Sequence, residues 1–331
     1  MNTIGRMQSK IRFPGTTALI AAVAFAALAA LLSPKDLSSL GLLRGALHSD
    51  NHLIRMTTEL EIEAARFLCA GLAVLSLIIG VFRDQITGSA LYQSYITLPD
   101  RHSAKGEAIL KTWVSVPSMT LLLTWLLCLA IAADGYAFLP DSVMAVMAEE
   151  DGILEWAGFG SVFLASLAGL YIVIEARRER LRRVVWLGLA FLFFLMAGEE
   201  ISWGQRIFGF ATPETLETVN VQKEFNFHNI GGFLFDHIFT TGYLCWAAAV
   251  PVAYALLANF RRLMIATGIP VPSRGFAVMM FIAIITRDQT MLRFLTPEAG
   301  IRYAEIRELL CEMSFFFLLV ETRRIYRTDR R

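Results

Sequence analysis

Residues 154–200 read LEWAGFGSVFLASLAGLYIVIEARRERLRRVVWLGLAFLFFLMAGEE. Two apolar runs, 154–175 and 184–198, flank a short connection that carries five arginines. A bilayer core of about 30 Å needs about 20 apolar residues as a helix, with fewer where other helices shelter the polar ends. The stretch therefore predicts two membrane-spanning helices joined by a basic turn.

Similar apolar runs recur along the chain. Its 331 residues are 56% hydrophobic and 18% charged, whereas soluble domains contain about a quarter charged residues. We therefore predict an all-α, polytopic transmembrane helix bundle that forms one integral-membrane domain. About eight spans are expected, near residues 16–33, 64–82, 113–133, 154–175, 184–206, 232–259, 275–295 and 304–320. The first run is also compatible with a cleaved signal peptide, and the seventh either crosses fully or re-enters.

The charges of the connections predict the orientation, because Lys and Arg accumulate on the cytoplasmic side of membrane proteins. In an eight-span arrangement every second connection is basic, and the others are poorer in cations or acidic, as in 141–151. The basic segments lie within residues 6–12, 83–111, 175–183, 261–274 and 323–331. This pattern predicts cytoplasmic N- and C-termini in a multipass protein of a bacterial inner membrane.

Several ionisable residues fall inside the later spans, where burial is costly. At 1.5 Å per residue, Glu199 lies ~24 Å above the inner boundary, Arg287 and Glu308 ~20 Å, and Glu312 ~14 Å. Their similar depths predict one polar cluster that opens to the outer, periplasmic face. The alternative interpretation is a purely structural one, in which these charges only neutralise one another, for example in Glu199–Arg206 or Glu312–Arg287 pairs.

The richest polar stretch, GEEISWGQRIFGFATPETLETVNVQKEFNFHN, occupies residues 198–229. Glu199, Ser202 and Arg206 are spaced to share one face of the extended fifth span. After a break at 209–212, Thr-Pro-Glu predicts the start of a second helix near 212–229, lying on the surface or re-entering the membrane.

On that second helix Asn220, Glu224 and His228 would recur every four residues on one face. Glu and His at i and i+4 can form half of a divalent-metal site. Glu199, Glu200 or Glu308 could complete the shell, and we predict Glu199, Glu224 and His228 as the metal ligands.

This stretch, as GEEISWGQRIFGF followed by N-x-Q-x-E-x3-HN, resembles a signature of uncharacterised bacterial multipass membrane proteins. The resemblance implies a bacterial inner-membrane origin and carries over no catalytic roles. Alkaline-ceramidase-like membrane hydrolases are similar in size, but they bind zinc through three histidines with a Ser and an Asp. Here His228 and His237 are nine residues apart and a third histidine is not evident.

The first hypothesis is an enzyme that acts at the outer leaflet on a lipid or lipid-linked anionic substrate, with a divalent metal as the candidate cofactor. The predicted acid–base or catalytic residues are Glu199, Glu200, Glu224, His228, Glu308 and Glu312. The predicted substrate-binding residues are Ser202, Gln205, Arg206, Asn220, Gln222, Arg287 and Asp288. The alternatives are a proton-coupled transporter or channel-like protein and a membrane scaffold subunit. No sequence feature predicts nucleic-acid binding.

Overall fold

The computed structural model describes residues 15–138, 152–176, 179–220, 222–230, 234–286 and 303–329, with only the backbone described at 15, 94, 132–138, 206, 303 and 304. Helices dominate, and the described residues contain no β-strand. The chain divides into two units, residues 1–97 with 230–235 and residues 98–229 with 236–331.

The first unit is built on two apolar helices that pack along each other, α1 (Gly15–Leu31) and α4 (His52–Val81). Short helices precede and follow α4 in the chain. They are α2 (Pro34–Ser39), α3 (Arg44–Leu47), α5 (Arg83–Gly88) and α6 (Ala90–Ile96).

The second unit contains most of the remaining helices. In chain order they are α7 (Ala104–Leu110), α8 (Val116–Phe138), α9 (Ile153–Glu175), α10 (Arg180–Glu200), α11 (Gln205–Phe208) and α12 (Glu214–Glu217). After them come α13 (Leu234–Leu244, whose first two residues group with the first unit), a π-helical turn (Cys245–Ala249), α14 (Val250–Leu256), α15 (Ala258–Thr267), α16 (Arg274–Ile285) and α17 (Tyr303–Asp329).

The centre of the second unit is the packing of α9 against α10 and α17. Small residues allow α9 and α10 to approach closely, since a Cβ on Gly169 would lie 3.0 Å from that of Ala190. At the same level the hydroxyl of Ser166 donates to the Ala190 carbonyl at 2.9 Å. Phe193 and Phe315 fill the interior with ring centroids 5.3 Å apart. This rigid packing positions the ends of α9, α10 and α17, where the polar residues lie.

Helices occur at each of the eight predicted spans, although their bounds differ. Four are long and apolar enough to cross a membrane: His52–Val81, Ile153–Glu175, Arg180–Glu200 and Leu234–Leu256. The apolar helices Thr16–Leu31, Val116–Ile131 and Arg274–Ile285 are shorter, and α17 carries several charges. The membrane-protein prediction therefore agrees with these helices, while the number of spans and the sides of the termini stay predictions.

Candidate functional site

The fifth predicted span ends earlier than expected. Helix α10 stops at Glu200, and Ser202, Trp203 and Gly204 then take left-handed φ values of 46°, 54° and 77°. Such values are uncommon outside glycine and cost about 1–3 kcal/mol each, so the neighbouring contacts must hold the turn in place. The prediction of one helical face through Glu199, Ser202 and Arg206 was therefore wrong, because this turn redirects the chain.

The turn places Trp203 beside the carboxylate of Glu199. The indole ring packs on Gly198, where a Cβ would lie 2.9 Å from the ring, and its Nε1 donates to Glu199 Oε1 at 2.7 Å. The other carboxylate oxygen accepts the backbone N–H groups of Phe227 at 2.6 Å and His228 at 3.0 Å. Glu199 is thus held by one donor from the turn after α10 and by two from the loop that contains Phe227 and His228.

The imidazole of His228 lies next to this fixed carboxylate. Its Nδ1 is 3.5 Å from Glu199 Oε2, and its side chain is 44% exposed whereas that of Glu199 is 17% exposed. Partial burial lowers the pKa of His228, but Glu199, with smaller contributions from Glu200 and Glu308, outweighs this and raises the pKa above its ordinary value. A fixed carboxylate and a partly exposed imidazole therefore lie side by side.

The predicted second helix, 212–229, is mostly not helical. Only Glu214–Glu217 forms a turn of helix, with Pro213 as its N-cap residue. Beyond it Asn220 competes for the backbone, since its Oδ1 accepts the N–H groups of Gln222 at 2.9 Å and Glu224 at 3.2 Å. The prediction of a helix through 229 was wrong because these side-chain bonds replace the helical ones.

The carboxylate of Glu224 lies in a buried polar hub. Glu224 Oε2 accepts Ser202 Oγ at 2.8 Å and Asn226 Nδ2 at 3.0 Å. Asn220 Nδ2 in turn donates to Asn226 Oδ1 at 2.8 Å. Ser202, Asn220 and Asn226 are at most 4% exposed. The hub fastens the 218–229 loop to the turn after α10.

Gln205 and Gln222, predicted to bind substrate, also make bonds within this segment. Gln205 Oε1 accepts Phe225 N at 2.7 Å, and its Nε2 donates to Thr212 Oγ1 at 2.7 Å. Gln222 Oε1 accepts the side-chain amide of Asn229. In this structure both side chains fix the loop that carries His228.

A second group of carboxyl side chains lies behind Glu199. The carboxyl groups of Glu200 on α10 and Glu312 on α17 are hydrogen-bonded to each other, and Glu312 is 4% exposed. Since an ionised carboxylate only accepts, this bond requires a proton between them. Glycine at position 158 makes the arrangement possible, because a Cβ there would overlap Glu312 Oε2.

Glu308 lies one helical turn before Glu312 and pairs with a buried arginine. Arg307, whose side chain is 4% exposed, lies 2.6 Å from Glu308 Oε1 and 2.8 Å from Asp236 Oδ1 on α13. Glu155 on α9 interacts electrostatically with Glu200 and Glu312. Carboxyl groups of four helices, α9, α10, α13 and α17, therefore meet at one end of the unit.

Of the predicted metal ligands, Glu224 bonds to Ser202 and Asn226 in the hub, and Glu199 lies beside His228. Among the described residues, no group of three or more His, Cys, Asp or Glu side chains is arranged to hold a metal ion. The side chain of Arg206 and residues Arg287 and Asp288 lie outside the described residues, so their predicted roles stay predictions.

Four residues of this region escaped the sequence analysis. Trp203 and Asn226 gave no signal, since a tryptophan at an interface and an asparagine in a loop are both ordinary. Arg307 and Glu155 could have been noticed as charges inside, or at the start of, predicted spans.

Comparisons with protein-family models, with curated proteins and with solved structures found no match for this chain.

Proposed function

We propose that this protein is an integral-membrane enzyme in which His228 and Glu199 transfer a proton to or from a lipid or lipid-linked anionic substrate at the outer face of a bacterial inner membrane. The observation that carries the proposal is the 3.5 Å contact between His228 Nδ1 and a carboxylate that three N–H donors hold in place.

The chemistry follows from this geometry. A fixed carboxylate orients an imidazole and stabilises its protonated form, which leaves Nε2 as the atom that exchanges a proton with the substrate. The raised pKa of His228 keeps the ring protonated at higher pH than an ordinary histidine. His228 therefore acts as a general acid towards a leaving oxygen, and the imidazolium attracts an anionic group.

The substrate class follows from position and charge. His228 lies in a loop next to the end of α10, a helix that is long and apolar enough to cross a membrane. A substrate that reaches this level from the bilayer is a lipid or a lipid-linked molecule. Arg206 and Arg287 stay our proposed contacts for its head group, phosphate being the obvious choice.

The test uses the full chain in nanodiscs prepared with bacterial total lipid extract and polyprenyl phosphate, followed over time by lipid mass spectrometry. His228→Gln and Glu199→Gln should each slow the wild-type conversion by at least about 10²-fold, as is typical for loss of acid–base catalysis. The matched control is His52→Gln, an exposed histidine of the first unit, which should convert lipid at the wild-type rate.

The pH profile separates a catalytic from a structural role of Glu199. Glu199→Gln removes the charge that raises the pKa of His228, so the alkaline limb of the residual activity should move to lower pH. Wild-type protein that converts no lipid, or a His228→Gln variant as active as wild type, would contradict the proposal.

Proton-coupled transport is a second candidate, supported by the hydrogen bond between the carboxyl groups of Glu200 and Glu312. Proteoliposomes with an internal pH dye test it. A proton flux that Glu312→Gln abolishes would favour transport, and the absence of any protein-dependent flux would reject it.

A further inference from the structure

A second candidate site lies at the other ends of α9, α10 and α17, away from Glu199 and His228. A cleft there has about 460 Å³ of empty space, including open solvent. Its apolar lining includes Ile172, Met264, Ile269 and Val271, and its polar lining includes Arg182 and Trp186. The cleft is therefore amphipathic, with cationic and N–H groups beside an apolar wall.

The guanidinium of Arg182 is held in a fixed orientation within this cleft. It lies 2.6 Å from Glu179 Oε2, donates to the Ile265 carbonyl at 2.5 Å, and stacks 4.3 Å above the ring of Tyr326. The side chain is 11% exposed. Its Nε–H, however, is buried and has no acceptor among the described residues. An unbonded N–H on a buried charged group is costly, so an acceptor from a ligand would be stabilising.

A second N–H donor borders the same space. A side chain on Gly268, which ends α15 with a φ of +70°, would lie 2.8 Å from Arg182 Nε and 2.9 Å from Trp186 Nε1. Gly268 therefore packs against both nitrogens, and the two N–H donors lie near each other in the wall of the cleft. Two neighbouring donors beside one opening suit the two oxygens of an oxyanion.

The other charged groups of the cleft are already paired within the protein. Arg323 bonds to Glu175 at 3.0 Å, and His102 Nδ1 lies 2.6 Å from Asp329 Oδ2. Among the described residues, the Nε–H of Arg182 therefore remains a donor of the cleft without an acceptor.

We propose that this cleft binds the phosphate group of an anionic lipid, with the phosphate oxygens at Arg182 Nε and Trp186 Nε1 and the acyl chain along Ile172 and Met264. The same phosphate chemistry is found in small soluble anions, and the experiment separates the two sources. The site is independent of Glu199 and His228, so it stands or falls separately from the proposed enzyme.

The test titrates the purified full chain in detergent with short-chain phosphatidylglycerol, short-chain phosphatidylcholine, glycerol phosphate and inorganic phosphate, and follows the melting temperature. Trp186→Phe removes one N–H and keeps the buried ring, while Arg182→Lys keeps the charge and removes Nε. Each should weaken phosphatidylglycerol binding about tenfold or more, the usual loss for a hydrogen bond to a charged group. Arg183→Gln, which removes an exposed arginine of the same helix, should bind like wild type.

Each result decides between the sources or rejects the site. Variant-sensitive binding of phosphatidylglycerol that is tighter than that of glycerol phosphate supports a lipid ligand. Equal, variant-sensitive binding of the two, or of inorganic phosphate alone, supports a phosphate site with a soluble ligand. Equal binding of phosphatidylcholine and phosphatidylglycerol would overturn the proposal. So would unchanged affinities in Trp186→Phe and Arg182→Lys, provided that both variants melt like wild type.

Discussion

The two ends of the α9–α10–α17 bundle arrange their charges in different ways. At one end Glu175 faces Arg323 and Arg327, both at 3.0 Å, and Glu179 faces Arg182, while the buried Glu321 bonds to Ser273. At the other end Glu200 and Glu312 bond to each other, Glu199 accepts N–H groups, and Glu308 and Asp236 share the buried Arg307. Ion pairs with arginine are thus common at the first end, whereas at the second the described carboxyl groups outnumber the cations beside them.

The difference indicates where the costly groups lie. Exposed ion pairs contribute about 0–1 kcal/mol each, so the pair that the exposed Arg327 makes at the first end should be easy to change. Carboxyl groups buried next to each other require a shared proton or a buried cation, and they persist in proteins mainly where they serve a function. This contrast predicts that substitutions at the second end have the larger effects.

The largest effect is expected for Arg307→Met. The substitution keeps much of the side-chain volume and removes the buried cation between Glu308 and Asp236. The two carboxylates left without a counter-charge are 42% and 24% exposed, so we expect a loss of about 3 kcal/mol, at the low end of the cost of breaking a buried ion pair. The free energy of unfolding in detergent measures this loss.

The matched control is Arg327→Gln on the same helix, whose side chain is 54% exposed and pairs with Glu175 at the other end. It should cost less than about 1 kcal/mol. Similar losses in the two variants would remove the distinction between the two ends.

A smaller effect is expected for Glu312→Ala, which removes the hydrogen-bond partner of Glu200. A buried polar group left without its partner costs about 1–3 kcal/mol. Glu312→Gln should stay close to wild type, because its amide supplies the hydrogen that the shared proton supplies now. If Gln destabilised the protein as much as Ala, the carboxyl pair would not be held by a proton.

Gly158→Ala tests the same contact from the opposite helix. The new methyl group would overlap the carboxylate of Glu312, which is the flexible end of a side chain and can move aside. We expect a loss of about 1 kcal/mol, at the low end of the cost of overpacking.

Gly160→Ala is its control, since nothing lies within 4 Å of a Cβ at that position. It should be neutral or stabilising by up to about 1 kcal/mol, because alanine favours the helix. In a double-mutant cycle, Glu312→Ala should cancel the cost of Gly158→Ala. Independent, additive losses would show that Gly158 and Glu312 do not contact each other.

Helices could be predicted from the sequence at all eight apolar runs, because hydrophobicity over about 20 residues is a strong signal. Their ends could not. The fifth run was extended to Arg206, while α10 ends at Glu200. The reason is that Ser202 and Trp203 adopt left-handed backbone angles that only their contacts with Glu224 and Glu199 stabilise.

Candidate site residues were easier to place than their partners. Depth along the helices predicted that Glu199, Arg287, Glu308 and Glu312 form one polar cluster, which stays a prediction; the structure places Glu200, which the depth argument did not use, next to Glu312. The pairing of Glu224 with His228 failed as a spacing argument because it assumed a helix, whereas Asn220 and Asn226 organise the loop through side-chain bonds. Such bonds depend on tertiary contacts, which a periodic pattern does not encode.

The smallest predicted effect is the pH dependence that His228 contributes to stability. Because its pKa is raised in the folded protein, the native state binds this proton more tightly than the unfolded state does. The stabilisation is therefore fully present below the ordinary histidine pKa of about 6.5 and is lost as the pH rises through the raised value. The side chain is 44% exposed, so we expect a contribution below about 1 kcal/mol.

The free energy of unfolding of wild type should exceed that of His228→Gln at about pH 5.5, and the difference should vanish in alkaline buffer. In a Glu199→Gln background the same His228→Gln comparison should lose most of this advantage at low pH, because the largest contribution that raises the pKa of His228 is gone. A wild-type advantage that instead grows with pH would mean that burial outweighs Glu199, and the proposed acid–base pair would lose its electrostatic basis.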